Sequence, residues 1–315
     1  MNIVLLEPLA VKAEKIEELA GKLKAKGHEF TAYDTLAASE AEQVERAKDA
    51  DVLIIANHPL SDNVIRQCSK LKFISVAFVG IDHVGVTACR EKGIHISNAA
   101  GYCDDAVAEL ALGLALDCLR NITRCDSVTR KGGTKAGLVG HELKGRTVGI
   151  IGTGHTGKRV AELYKAFGCK VLGYSRSGKM DESIFTPASL EDLLAGSDIV
   201  SIHVPLTDAT KGMISRERIA LMKQGAMVIN TARGPVVDSA ALAEALNEGK
   251  LAAVGSDVFE MEPPVPTDHP LVNAERTVLT PHVAFATIES LDRRAEIVFD
   301  NVLEWMGGRI QNQML

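Results

Sequence analysis

Scarcity narrows this sequence first. Only 4% of its 315 residues are aromatic, with a single Trp, and six are Cys. The cysteines, at 68, 89, 103, 118, 125 and 169, form no C-x-x-C pair and have no histidine cluster beside them. That spacing speaks against zinc and redox-dithiol chemistry and predicts no metal site. Reduced, mostly buried thiols in a cytoplasmic protein are the expectation. Positive charge is not in excess: the net charge is −6 and the sequence pI about 5.9. Nucleic acid or an anionic membrane is therefore not the expected partner. The longest apolar run near a helix, "AVAELALGLALDCL", contains Glu109 and Asp117 and is too short to span a bilayer. "MNIVLLEPLA" goes straight into a strand pattern, so no secretory leader is expected. Solenoid repeats and low-complexity segments are also missing.

What is there is alternation. A chain of 315 residues suits two domains. The apolar runs "NIVLLE", "HEFTAYD", "DVLIIAN" and "KFISVAF" are separated by amphipathic segments such as "VKAEKIEELAGKLKAKG". Such alternation predicts an α/β fold, a parallel sheet flanked by helices. From Thr147 the pattern restarts with "TVGIIG", "KVLGYS", "DIVSIHVP", "AMVINTAR", "AAVGSDV" and "TVLTPH", enough for a complete doubly wound domain. Between the halves a helix is predicted over about 104–122. A polar stretch over about 123–142 follows, a linker or a loop that meets a second subunit. The tail "TIESLDRRAEIVFDNVLEWM" is again helical and, if it packs on the first half, makes that domain discontinuous.

Gly152, Gly154 and Gly157 form G-x-G-x-x-G between an apolar strand and a helix, the context that gives this pattern meaning. Gly152 makes the tight turn, Gly154 lets the backbone approach a pyrophosphate, and Gly157 lets helix and strand pack closely. The positive end of the helix then faces the phosphates. About twenty residues on, such a unit usually carries an acid for the ribose. Here it reads Tyr174-Ser175-Arg176-Ser177. Without the acid nothing repels a 2′-phosphate, and Arg176 offers a permanently charged planar donor, with Ser177 and Lys179 beside it. NADP is therefore expected over NAD.

In a doubly wound sheet, ligands sit beyond the carboxyl ends of the strands. Those ends carry Arg233 in "AMVINTARG", Asp257 and Glu262 in "GSDVFEMEPP", and His282 in "TVLTPHVAF". A histidine, a carboxylate and an arginine suit carbonyl reduction. His282 would give the new alkoxide its proton and take it back in the reverse direction. Glu262 on the other ring nitrogen would raise the imidazole pKa. Arg233 would orient the substrate's carboxylate and carbonyl oxygens. The plainer reading pairs Arg233 with Asp238. His203 also ends a strand but has no such set, so Pro205 and its loop read as a wall of the cofactor pocket. Asp257 reads as a contact of the nicotinamide amide, and His83 as a residue that could touch substrate.

At this point the residues resemble the D-isomer-specific 2-hydroxyacid dehydrogenases over nearly the whole chain. "AFVGIDHVG" looks like the family's substrate loop and "ISNAAGYCDDAVAELALGLAL" like its hinge and interdomain helix. "ELKGRTVGIIGTGHTG", "HVPLTDATKGMI", "INTARGPVVD", "GSDVFEMEPP" and "LTPHVAFAT" follow in order. The resemblance implies a Rossmann cofactor domain over 100–286 and a discontinuous flavodoxin-like substrate domain over 1–99 plus 287–315. It implies that Arg233, Glu262 and His282 are the substrate arginine, the pKa-tuning carboxylate and the acid/base. Backbone N–H groups near Val79 and Gly80 would hold the substrate carboxylate. Val107, His155, Thr156, Ser175, Thr231, Ala232, Asp257, His282 and Ala284 would be cofactor contacts. A homodimer formed through the cofactor domain, a small D-2-hydroxyacid or 2-ketoacid such as glyoxylate or hydroxypyruvate, and no metal are likewise implied. Phe78, His83 and Phe285 depart from the family pattern, and Phe78 is expected to narrow the pocket. Two rivals remain: a formate dehydrogenase, which needs an amide where Glu262 stands, and a dinucleotide-sensing corepressor, which needs docking segments not seen here.

Overall fold

The structure, a computed structural model, describes residues 1–261 and 264–315. The chain divides into two compact units, Met1–Cys103 with Ala286–Leu315, and Asp104–Phe285.

The first unit holds a parallel five-stranded sheet of β1 (Asn2–Leu5), β2 (Glu29–Ala32), β3 (Val52–Ile55), β4 (Phe73–Val76) and β5 (His95–Ser97), in the order β2-β1-β3-β4-β5. Every residue of "VLII" in β3 and "FISV" in β4 is buried, as strands covered on both faces require. β2, at the edge, is mostly exposed. The helix Ile288–Met306 returns from the chain's end to cover this sheet. It opens with a capping box between Thr287 and Ser290, buries Val298, Phe299 and Val302, and stacks Trp305 on Phe73 of β4 at 5.0 Å. β5 escaped the sequence reading. It is only three residues long and completes its bonding through an antiparallel bridge from Ser97 to Gln313.

The second unit holds a parallel seven-stranded sheet of β6 (Thr147–Ile151), β7 (Lys170–Tyr174), β8 (Thr186–Pro187), β9 (Ile199–Ile202), β10 (Ala226–Asn230), β11 (Leu251–Ser256) and β12 (Thr277–Leu279). Its order is β12-β11-β10-β9-β6-β7-β8, reversing direction at β6. Alternate residues of each strand enter two cores. Ile151, Val200, Ile202 and Val228 join Leu193, Leu242 and Leu246, while Ile150, Ile199 and Ile229 join Ala111, Val160 and Tyr164. β8, a two-residue edge strand ending in Pro187, was not predicted.

The helix expected over 104–122 stops at Arg120. Asn121 turns left-handed at φ 53°, and a second helix, Ile122–Arg130, takes up ground read from the sequence as loop. Among the described residues no helix is long and apolar enough to cross a membrane.

Candidate active site

Strand register gathers most of the expected residues of the second unit. Tyr174 pairs with Ile151, Ile151 with Ile202, Ile202 with Asn230, Asn230 with Ser256, and Ser256 with Leu279. These are the carboxyl ends of β7, β6, β9, β10, β11 and β12, level with one another and ~4.8 Å apart. The segments 175–177, 152–157, 203–205, 231–233, Asp257 and 280–284 therefore leave one edge side by side. The order reverses between β6 and β9, the place where open α/β sheets accept ligands.

The glycine turn has the shape a dinucleotide needs. Gly152 is at φ 98°, and a Cβ there would lie 2.3 Å from the His203 carbonyl oxygen. A Cβ on Gly157 would lie 1.9 Å from the Gly152 carbonyl oxygen, so helix and strand meet only because both are glycine. Gly154 has open space instead, where a phosphate would approach. It is also the N-cap of the helix His155–Ala166 and offers no side chain to the first N–H groups, leaving them for an anion. His155 is exposed, whereas Thr156 donates its hydroxyl to Asp104 at 2.5 Å. Val107, in the helix Asp104–Arg120, is half-buried. Thr231 Oγ1 at the end of β10 is buried with no protein partner, an orphaned hydroxyl of the kind a bound ligand satisfies. The turn and this hydroxyl fit a nicotinamide dinucleotide.

After β7, Ser175 and Ser177 hold their hydroxyls 3.0 Å apart, the Lys179 N–H donates to Ser177 Oγ, and Arg176 is exposed. After β9, Pro205 is exposed and its carbonyl accepts from Thr210 Oγ1 at 2.6 Å. His203 shares a hydrogen with Ser201 Oγ at 2.8 Å, and burial pushes its imidazole down to about 3. Unfolded, that ring takes a proton below about pH 6.5, so acid favours the unfolded chain. The contribution of His203 to stability is therefore full above pH 6.5 and is lost from there down to about pH 3. In urea unfolding His203 should contribute a loss of up to about 1.4 kcal/mol per pH unit. His203→Gln should flatten that slope between about pH 6.5 and 5; parallel slopes would contradict the assignment.

Two buried polar side chains brace the chemistry-bearing turns, and the sequence reading had given neither this task. Asn230, 1% exposed, accepts from Ala232 N–H at 3.0 Å and donates to the Arg233 carbonyl at 3.1 Å. Arg233, half-buried, turns its own Nη1 to the Ala232 carbonyl, while Asp238 caps the helix Ser239–Asn247 by accepting from Ala241. The plainer pairing of Arg233 with Asp238 is not what occupies that carboxylate. Asp257 is fully buried and accepts from Thr280 Oγ1, Val283 N–H at 2.9 Å and Ala284 N–H at 2.8 Å. Its carbonyl accepts the His282 N–H at 2.8 Å. Asp257, expected at the nicotinamide amide, thus grips the whole 280–284 loop. That grip holds His282 at φ 55°, a left-handed conformation uncommon outside glycine. The ring of Phe285 meets the imidazole edge-on at 5.7 Å. Glu262 lies outside the described residues.

In the first unit, Val79 and Gly80 follow β4. The Phe78 carbonyl accepts from Ala99 N–H at 3.0 Å, and the Val79 carbonyl from Asn98 Nδ2 at 2.7 Å. In a trans peptide the C=O and the next N–H point opposite ways. With both carbonyls drawn to the 98–99 segment, the Val79 and Gly80 N–H groups face together away from it. Among the described residues neither donates to a protein acceptor, so both are left for a ligand that accepts hydrogen bonds. The Phe78 ring, expected to narrow the pocket, packs against Tyr102 at 6.4 Å and the first unit's core. His83 bonds the Ala56 carbonyl through Nε2 at 2.8 Å, and burial lowers its pKa. It fastens the loop after β4 to the end of β3.

Comparison with known proteins agrees with this geometry. A family model described as "D-isomer specific 2-hydroxyacid dehydrogenase, NAD binding domain" matches residues 112–284. A glyoxylate reductase of Thermofilum pendens is 39% identical over 282 residues, covering 86% of this chain and 83% of that protein. A hydroxypyruvate reductase of Thermotoga maritima is 38% identical over 264 residues, covering 82% and 86%. Among solved structures, a D-2-hydroxyisocaproate dehydrogenase superposes with a TM-score of 0.86 at 30% identity, covering 100% of this chain and 99% of that one. With the register-aligned strand ends and the glycine turn, these matches show that the chain belongs to the D-isomer-specific 2-hydroxyacid dehydrogenase family and is an NAD(P)-dependent oxidoreductase acting on the CH–OH group of donors.

Proposed function

We propose that this enzyme reduces small 2-ketoacids, glyoxylate and hydroxypyruvate foremost, to D-2-hydroxyacids, prefers NADPH to NADH, and works as a homodimer in the cytoplasm. The observation that carries the reading is the level row of strand ends in the second unit, which sets Arg233 and the His282 loop on the same edge as the glycine turn. The dinucleotide supplies the hydride. Gly152, Gly154 and Gly157 with the N–H groups of His155 and Thr156 hold its pyrophosphate, and Thr231, Ala232, Val107, Pro205 and Ala284 line its nicotinamide half.

Arg233 pairs with the substrate's carboxylate and carbonyl oxygens through its donor fork. His282 passes a proton from its imidazolium to the carbonyl oxygen as that oxygen gains negative charge. Glu262, on sequence grounds, keeps that imidazole protonated. The N–H pair of Val79 and Gly80 receives a carboxylate. The preference for NADPH rests on the missing acid at Ser175 and on the exposed guanidinium of Arg176, which no carboxylate engages among the described residues. A 2′-phosphate would find Arg176 and the paired hydroxyls of Ser175 and Ser177 there.

The test is turnover of a 2-ketoacid panel with each cofactor, followed by the loss of absorbance of the reduced nicotinamide. Wild type should favour NADPH, and Arg176→Ala should lower kcat/KM with NADPH by about tenfold or more, the scale of one lost charge-assisted pair, leaving NADH nearly unchanged. Equal losses with both cofactors would end the NADPH reading. Dinucleotide binding without turnover of any 2-ketoacid would end the reductase reading.

A further inference from the structure

Behind the Val79 and Gly80 N–H pair of the first unit lies a charge that the proposed chemistry does not use. Arg294, in the second turn of the helix Ile288–Met306, is only 3% exposed. Its guanidinium sits 5.1 Å from the ring centre of Phe78 and 5.8 Å from that of Tyr102. Nη2 donates to the Leu9 carbonyl at 2.7 Å, and the carboxylate of Glu7, itself held by the Ala56 and His58 N–H groups, contributes attraction. Neighbouring Arg293 donates to the Tyr102 carbonyl at 3.2 Å. One planar cation thus connects the segment after β1, the segment after β4 and Tyr102 beyond β5.

Burying a charge is a poor route to stability, since apolar side chains of similar volume often serve as well or better. What a guanidinium adds is direction. It lies flat on an aromatic face while its edges donate, which neither Lys nor Met reproduces. The ring it covers belongs to Phe78, whose peptide carries the first of the two N–H donors. We infer that Arg294 is a positioning residue for substrate binding: acting through Phe78, it fixes the tilt of the peptides whose N–H groups at Val79 and Gly80 receive the substrate carboxylate. This rests on the reading of those two N–H groups as the carboxylate seat.

Four variants separate the possibilities, with glyoxylate as substrate and oxamate as a dead-end ligand. Arg294→Lys keeps the charge and loses the flat face. Phe78→Leu keeps the bulk and loses the quadrupole. Each should raise the KM for glyoxylate and the inhibition constant of oxamate by about tenfold, the scale of one desolvated cation–π contact. The kcat at saturation and the KM for the reduced dinucleotide should stay within about threefold. The double variant should be no worse than either single one, because both remove the same contact. Unchanged glyoxylate KM in both single variants, an equal rise in the dinucleotide KM, or effects that multiply in the double variant would each overturn the inference. If Arg294→Lys does not fold, Phe78→Leu alone must still show the split between glyoxylate and dinucleotide KM. The fourth variant, Gly80→Pro, removes an N–H outright. A normal glyoxylate KM there would refute the carboxylate seat itself, whereas a raised one beside a normal Arg294→Lys would refute only the role of Arg294.

Discussion

On the proposed function, replacing His282 by alanine should lower kcat for ketoacid reduction by about 10²–10⁴-fold, the usual worth of a positioned general acid. Reduced dinucleotide should bind with an affinity within about threefold of wild type, because the proposed pyrophosphate site uses backbone donors at the glycine turn, on other strands. The loop should also keep its shape. Its anchors are the Asp257 carboxylate and carbonyl, which bond Thr280, Val283, Ala284 and the backbone N–H of residue 282 rather than the imidazole. Alanine pays somewhat more for φ 55° than histidine, a small cost beside the kinetic loss. Single-turnover measurement of kcat with titration of the dinucleotide decides the matter. Normal turnover with weakened dinucleotide binding would move the residue from proton transfer to cofactor support.

The second large effect comes from a residue with no side chain. A Cβ on Gly234 would lie 1.9 Å from the Phe259 carbonyl carbon, 2.0 Å from its oxygen and 2.4 Å from the Glu260 nitrogen. These are backbone atoms and cannot rotate away. Relieving the overlap means moving the Arg233 turn from the segment after β11 by about 1 Å, and a displacement of that size costs about 10²-fold in rate when it reaches a catalytic group. Gly234→Ala should therefore reduce kcat/KM by about 10²-fold while the dinucleotide still binds, since the glycine turn is untouched. Kinetics on folded variant, confirmed by an unaltered far-ultraviolet spectrum, provide the check. A variant with wild-type kcat/KM would mean that the close approach has no bearing on Arg233.

Much of this architecture could be read in advance. A continuous apolar run such as "VLII" can only be a strand covered on both faces or a buried helix, and its length and spacing decide for a strand. The glycine turn was legible because each glycine answers a separate steric demand, later seen as contacts with the His203 and Gly152 carbonyls. β5 and β8 were not legible: at three and two residues they carry no periodicity, and their pairing is decided by neighbours far along the chain. The break at Asn121 was missed because a single left-handed residue leaves no trace in an otherwise helical pattern. The site was legible in residue type but not in wiring. Asn230 looks in sequence like any polar residue closing a strand and Asp257 reads as a cofactor contact, and only their partners show that they shape the Arg233 turn and the 280–284 loop. Gly234 carries no such signal either, and only the Phe259 and Glu260 backbone beside it shows why the position excludes a side chain. Arg294 carries no signal of its own in the helical tail, and only the fold places it against the ring of Phe78.

The helix Ile288–Met306 supplies Val298, Phe299 and Val302 to a sheet whose strands all come from the first hundred residues. On the ribosome that sheet emerges early but lacks its cover until the last segment is made. At about 5–20 residues per second, the intervening stretch takes on the order of 10–40 s to synthesise. During that interval the second unit, continuous in sequence, is made in full, while the N-terminal strands still lack the apolar face of this helix. The first unit, begun first, is therefore the last whose sequence is complete.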